Sequence, residues 1–136
     1  MTTREPRWVR ADVARAIHRR QLAEHGGAEG IRSEDLLDSA LHRPLTLWQY
    51  GEPKPDLAGL ASAYAFGIAR NHPFVDGNKR TAFVICRLFL LLNGWEIAAS
   101  QAEKYTAFIA LAAGRMSEAE LADWLRKHLR QVANRE

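Results

Sequence analysis

Between Thr81 and Leu92 the chain reads TAFVICRLFLLL, apolar on every side of a helix except at Arg87. A surface helix keeps a single apolar stripe, so a helix without a polar face belongs in the middle of a bundle. The run is too short, and too interrupted by Arg87, to span a bilayer. It therefore demands helical neighbours, and the rest of the chain supplies their patterns. Val13, Ala14, Ile17 and Leu22 mark a first helix, stopped by the glycines of HGGAEGI. Ser33 is the N-cap of a second, with Glu34 and Asp35 in the first turn, and Pro44 is expected to end it. Asp56 caps a third, which carries Leu57, Leu60, Ala61, Tyr64, Ala65 and Ile68 on one stripe. The central helix is expected to start near Asn78 and to stop at the C-cap pair Asn93-Gly94. Two more run from roughly Ser100 to Ala113 and from Ser117 to about Val132. No run alternates as a strand would. The expected fold is all-α, a single domain over residues 1–136 with about six helices around a buried central one.

An apolar share of 47% and a charged share of 26% suit one ordinary folded core, large enough to need neither disulfides nor metal staples. The single cysteine, Cys86, lies inside the apolar run and cannot build a disulfide framework, which points to a reducing cytoplasm. The first twenty residues contain no apolar signal segment, so neither secretion nor membrane insertion is expected. A formal charge of +3 is a mild bias towards anionic partners. The surplus gathers at the ends, in Arg4, Arg7, Arg10, Arg15, Arg19 and Arg20, then Arg126, Lys127 and Arg130. Only Trp8 falls among these cations, so they read as solvated helix faces rather than a nucleic-acid footprint.

Two stretches resist a purely structural reading. From Pro44 to Asp56, PLTLWQYGEPKPD carries three prolines and a glycine and reads as an exposed loop or a short hairpin flap. Its Leu45, Leu47, Trp48 and Tyr50 either fold back on the core or present a sticky edge to a partner. The second stretch, NHPFVDGNKRTAF from Asn71 to Phe83, leads into the central helix. Pro73 disfavours helical geometry at His72, which leaves HPFVDG as a loop, with Gly77 free to adopt an unusual backbone and Phe74 anchoring the loop in the core.

The start of the following helix offers free N–H groups and the positive end of a dipole, to which Lys79 and Arg80 add charge, so the expected guest is phosphate. Arg80 can grip phosphate through parallel hydrogen bonds, and Lys79 is a mobile point charge. Asp76 is a hard oxygen ligand suited to magnesium shared with nucleotide phosphates, and His72 could take a proton from an attacking hydroxyl. Taken singly, each residue has a structural reading: a hydrogen-bonded histidine, an Asp-Gly-Asn turn, a solvated Lys-Arg pair. Their convergence before the most buried helix favours a site. The order of Gly77-Asn78-Lys79-Arg80-Thr81 is not that of a Walker loop.

HPFVDGNKR, His72 to Arg80, resembles the signature of the Fic/Doc family, and specifically of its Doc branch. IHRRQLAEHGGAEGIRSEDLLDSALHRP, YGEP and LLLNGWEI resemble Doc-type toxins as well, from about Ile17 to Ile97. The resemblance implies His72 as general base, Asp76 as the magnesium ligand, Gly77, Asn78, Lys79 and Arg80 on the phosphates of ATP, and Pro73 and Phe74 as support of the loop. In the AMP-transferring branch a glycine stands at the position of Lys79 and an arginine at that of Phe83. The family reading of both departures is that the γ-phosphate meets the target, so that a hydroxyl is phosphorylated. The implied target is elongation factor Tu, with translation inhibited. The implied restraint is a Phd-like antitoxin, through which alone nucleic acid would be involved. Trp48 and Tyr50 become candidates for target docking. The only Glu followed by Gly or Asn is Glu29-Gly30, preceded by His25 rather than by a Ser or Thr, so the inhibitory motif of many Fic proteins is not seen. An AMP transferase, or a non-catalytic helical module that binds nucleic acid, is the alternative.

Overall fold

The computed structural model describes residues 4–132. Six helices account for most of them: α1 (Ala11–His25), α2 (Glu34–Tyr50), α3 (Leu57–Asn71), α4 (Asn78–Leu92), α5 (Gln101–Ala112) and α6 (Glu118–His128). Two short strands, β1 (Trp95–Ile97) and β2 (Leu129–Gln131), complete the order. The helix starts follow local chemistry. Ser33, Asp56, Ser100 and Ser117 each accept a backbone N–H of the first turn, and the last two form capping boxes with Glu103 and Glu120.

The centre is the pair α3 and α4. Ten of the fifteen residues of α3 are buried, most of them Ala or Gly, and α2, α4, α5 and α6 all pack against it. Small side chains allow this crowding: a Cβ added to Gly67 would lie 3.1 Å from the Cα of Ala40 in α2. Along α4, Ala82, Ile85, Cys86, Phe89 and Leu90 face inward, while Arg87 is exposed. The N-terminal segment lies against this core through Trp8, which stacks on Phe89 and meets Trp48 edge to face at 6.4 Å. Tyr64, fully buried, accepts the Val9 N–H at 3.0 Å, and burial pushes its phenol up to about 12. At the far end Arg126 of α6 grips both carboxylate oxygens of Asp56, at 2.6 and 3.0 Å, and so fastens α6 to the start of α3.

Three expectations are corrected. Pro44 does not end α2, which continues to Tyr50 and places the proline inside the helix. Leu37, Ala40, Leu41 and Pro44 are one buried face against α3, and that burial outweighs a local penalty of about 3 kcal/mol. The expected loop or hairpin flap is thereby confined to Gly51–Asp56, and Leu45, Leu47, Trp48 and Tyr50 are helical. Finally, α6 does not reach Val132: it stops at His128, and β2 pairs antiparallel with β1, Ile97 opposite Leu129 and Trp95 opposite Gln131. The Ala98 N–H donates to the His128 carbonyl at 2.7 Å, closing the switch from helix to strand.

Substituting Tyr64→Phe keeps the ring packing and strands the buried Val9 N–H. The expected cost is about 1–3 kcal/mol, seen as a lower urea midpoint at unchanged slope.

Candidate active site

The loop between α3 and α4 is held from three directions. From within, the buried side chain of Asn78 closes on Phe74, its Oδ1 accepting the Phe74 N–H at 3.0 Å and its Nδ2 donating to the Phe74 carbonyl at 2.9 Å. From α1, the buried His18 ring stacks on Phe74 at 3.7 Å, nearly parallel, and His18 Nε2 lies 2.8 Å from the Asp76 carbonyl. A carbonyl only accepts, so Nε2 carries the proton. From the segment before α2, the N–H groups of Arg32 and Ser33 donate to the Pro73 carbonyl at 2.7 and 3.1 Å, and Val75 N–H donates to Gly30. A one-residue antiparallel bridge, Ile31 to Phe74, results.

His72 closes α3 in the left-handed region, φ 49° and ψ 56°. A non-glycine residue there is strained by roughly 1–3 kcal/mol, and a residue before proline is normally steered to extended geometry. Its carbonyl and that of Asn71 accept the Arg32 side chain through Nε and Nη2, both at 2.7 Å. The imidazole is exposed and makes no hydrogen bond among the described residues. It is thus open to an incoming hydroxyl.

Asp76 is exposed, yet each carboxylate oxygen is engaged. Oδ2 accepts the Ala28 N–H at 3.2 Å and Oδ1 that of Gly77 at 2.8 Å. The bond from Ala28, then that from Gly77, holds the carboxyl below the usual range, with Arg80 adding a smaller pull. Gly27 makes the first bond possible. Its φ is +125°, and a Cβ there would meet Asp76 Oδ2 at 2.9 Å. Each carboxylate oxygen retains a lone pair beyond its N–H partner. That donor set suits magnesium, which is bound by one or two carboxylates plus substrate phosphates. Among the described residues no three His, Cys, Asp or Glu converge to hold a metal by themselves.

Gly77, φ +79°, is the N-cap of α4 and offers no side-chain cap, so the N–H groups of Asn78, Lys79 and Arg80 stay open while Thr81 N–H bonds to Gly77. His18 Cδ2 would lie 3.7 Å from a Cβ at Gly77, so the turn is packed against α1. Lys79 and Arg80 are exposed and border a groove of about 440 Å³ between α1, α4 and α5, with Phe83 and Phe108 meeting edge to face in its floor. A larger cavity of about 650 Å³ lies between α1 and the segment before α2. Arg15 and Glu34 pair in its wall, which also includes His18, Gly27 and Phe74 beneath the loop, whereas Lys79 and Arg80 border the smaller groove.

His72, Asp76, Gly77, Lys79 and Arg80 therefore share one loop and helix start, with Pro73 and Phe74 buried beneath them. The Asn78 side chain is spent on Phe74, which leaves its backbone N–H open at the helix start. Trp48 is packed against Trp8 and covered by Lys54 Nζ, 4.3 Å from its ring, whereas Tyr50 is 78% exposed. Three contributors escaped the sequence reading: His18, Arg32 and the Gly27-Ala28 pair. A signal existed for His18, which occupies a position between Ala14 and Leu22 where helical spacing asks for an apolar residue.

The sequence model of the Fic/DOC family matches residues 8–90. Over 74 residues the chain is 42% identical to a protein named "Toxin Doc" of Mycolicibacterium smegmatis, a stretch covering 54% of this chain and 57% of that one. Over 112 residues it is 31% identical to "Protein kinase doc" of Escherichia phage P1, covering 82% of this chain and 87% of the phage protein.

Two outcomes are expected at Asp76. Its folded value lies below that of the unfolded chain, so its stabilisation is complete above pH ~4 and is lost as pH falls through the folded value. Asp76→Asn should flatten that acid limb when urea midpoints are compared across pH. Gly27→Ala should push the carboxylate off Ala28, and NMR should then find Asp76 titrating at higher pH than in the parent chain.

Proposed function

The chain belongs to the Fic/DOC family, and from that premise we propose that it is a Doc-type toxin that transfers the γ-phosphoryl group of ATP to a hydroxyl of a target protein. The observation that carries the proposal is the open start of α4, with Lys79 and Arg80 exposed beside it and His72 and Asp76 on the loop that feeds it. Phosphoryl transfer asks chiefly for positioning and for stabilisation of charge on phosphate oxygens, which is what such a terminus supplies.

In this reading the N–H groups of residues 78–80, Lys79 and Arg80 hold the phosphates. Asp76 would hold magnesium, which when bound offsets phosphate charge. His72 accepts the hydroxyl proton as the hydroxyl oxygen bonds to the γ-phosphorus, and the bond from that phosphorus to its bridging oxygen breaks to release ADP. Lys79 supports phosphoryl over AMP transfer, and so does Phe83, which packs edge to face with Phe108 at 5.0 Å and presents no second cation. Both relatives bear the name Doc, one as a toxin and one as a protein kinase. The proposed target is elongation factor Tu, whose modification would inhibit translation. The proposed restraint is a Phd-like antitoxin whose C-terminal segment lies in the groove between α1, α4 and α5. There His25, Lys79, Arg80 and Lys104 surround an apolar floor, a match for an acidic amphipathic helix.

Incubation with elongation factor Tu and ATP labelled at the γ or the α position tests the transferred group. Retention of γ label alone is expected, and retained α label would replace the proposal with AMP transfer. His72→Ala should lower the rate by about 10²–10⁴-fold with ATP binding nearly unchanged, whereas Arg80→Ala should weaken both.

A further inference from the structure

We propose that Arg32 is a positioning residue for His72: it fixes the left-handed backbone at His72 and thereby the direction in which the imidazole points. The inference rests on the reading of His72 as the base. Three contacts from one residue fall on three consecutive carbonyls, from the last residue of α3 into the loop. Arg32 Nη2 donates to Asn71, Nε to His72, and the backbone N–H to Pro73, each at 2.7 Å.

The geometry explains why an arginine is needed. Left to local preference, His72 would be extended, because it precedes a proline and carries a Cβ. The Asn71 and His72 carbonyls lie at the end of α3, where helix carbonyls lack intrahelical partners. A guanidinium satisfies both at once through its rigid fork, and its charge suits the negative end of the helix dipole. A lysine ammonium has the charge without the fork. The other side of His72 is tied by its own N–H to Ile68 at 3.2 Å, and Asn71 Nδ2 donates to Leu36 at 3.1 Å. The backbone is thus gripped on both sides, while the ring has no hydrogen bond among the described residues to orient it. Its aim is inherited from φ and ψ.

The test compares the parent chain with Arg32→Lys and Arg32→Ala, each first shown by circular dichroism to keep its helices. The backbone readout is the NOE between the His72 amide and its own α-proton, which is strong only at positive φ. It should weaken in both variants. In the γ-phosphoryl assay, kcat should fall on the order of 100-fold while KM for ATP stays within about twofold, because ATP contacts are untouched and the base is misaimed. Added methylguanidine should restore part of the Arg32→Ala rate and none of the rate of His72→Ala. An unchanged NOE and kcat in both variants would overturn the proposal. So would a joint loss of kcat, ATP affinity and melting temperature without guanidine rescue, which marks a merely structural contact. If the parent chain transfers no label, the functional reading fails on its own, and the NOE still decides whether Arg32 holds His72.

Discussion

Everything at the site depends on the return of the Asn78 side chain to the backbone of Phe74. One carboxamide satisfies both the N–H and the carbonyl of a buried residue four positions earlier. That closes the loop into a ring and lets Phe74 descend into the core without an unpaired backbone group. Phe74 then offers its face to His18, and His18 in turn holds the Asp76 carbonyl. The polar residues of the loop point outward because its one large apolar residue is fastened inward. The Asn78 side chain is thus the pin of the loop, and its backbone N–H stays open at the start of α4.

The support around this ring comes from segments distant in sequence, and each contributes something the loop lacks. The stretch before α2 contributes donors, capping Pro73, His72 and Asn71 through Arg32 and Ser33 and reaching Asp76 through Ala28. Helix α1 contributes a flat aromatic surface and one proton. Helix α3, by its small side chains, allows α2 and α4 to come close enough for these segments to meet. The strain at His72 persists because the backbone on either side of it is overdetermined.

Much of this was legible locally. The caps Ser33 and Asp56, and the helix starts at Ser100 and Ser117, were readable because a cap is a contact between residues three apart. The uncapped, positively flanked start of α4 could be read for the same reason, and so could the break at His72-Pro73. Where local rules failed, a tertiary term was larger. Pro44 was expected to end α2, but its face is buried against α3. Leu129 was expected to continue a helical stripe, but β1 offered a partner for its backbone, and a strand of three residues leaves almost no alternation to detect.

The amino-acid sequence alone determined that this chain would be a helical bundle with an uncapped, positively flanked helix start fed by a proline-broken loop, because periodicity, capping and the proline restriction act within a few residues. The tertiary structure alone decided which groups aim that loop. Arg32 and His72 are separated by 40 positions, and His18 and Asp76 by 58. Such pairs leave no mark in local spacing. They exist only after the bundle has brought the middle of α1, the end of α3 and the segment before α2 together.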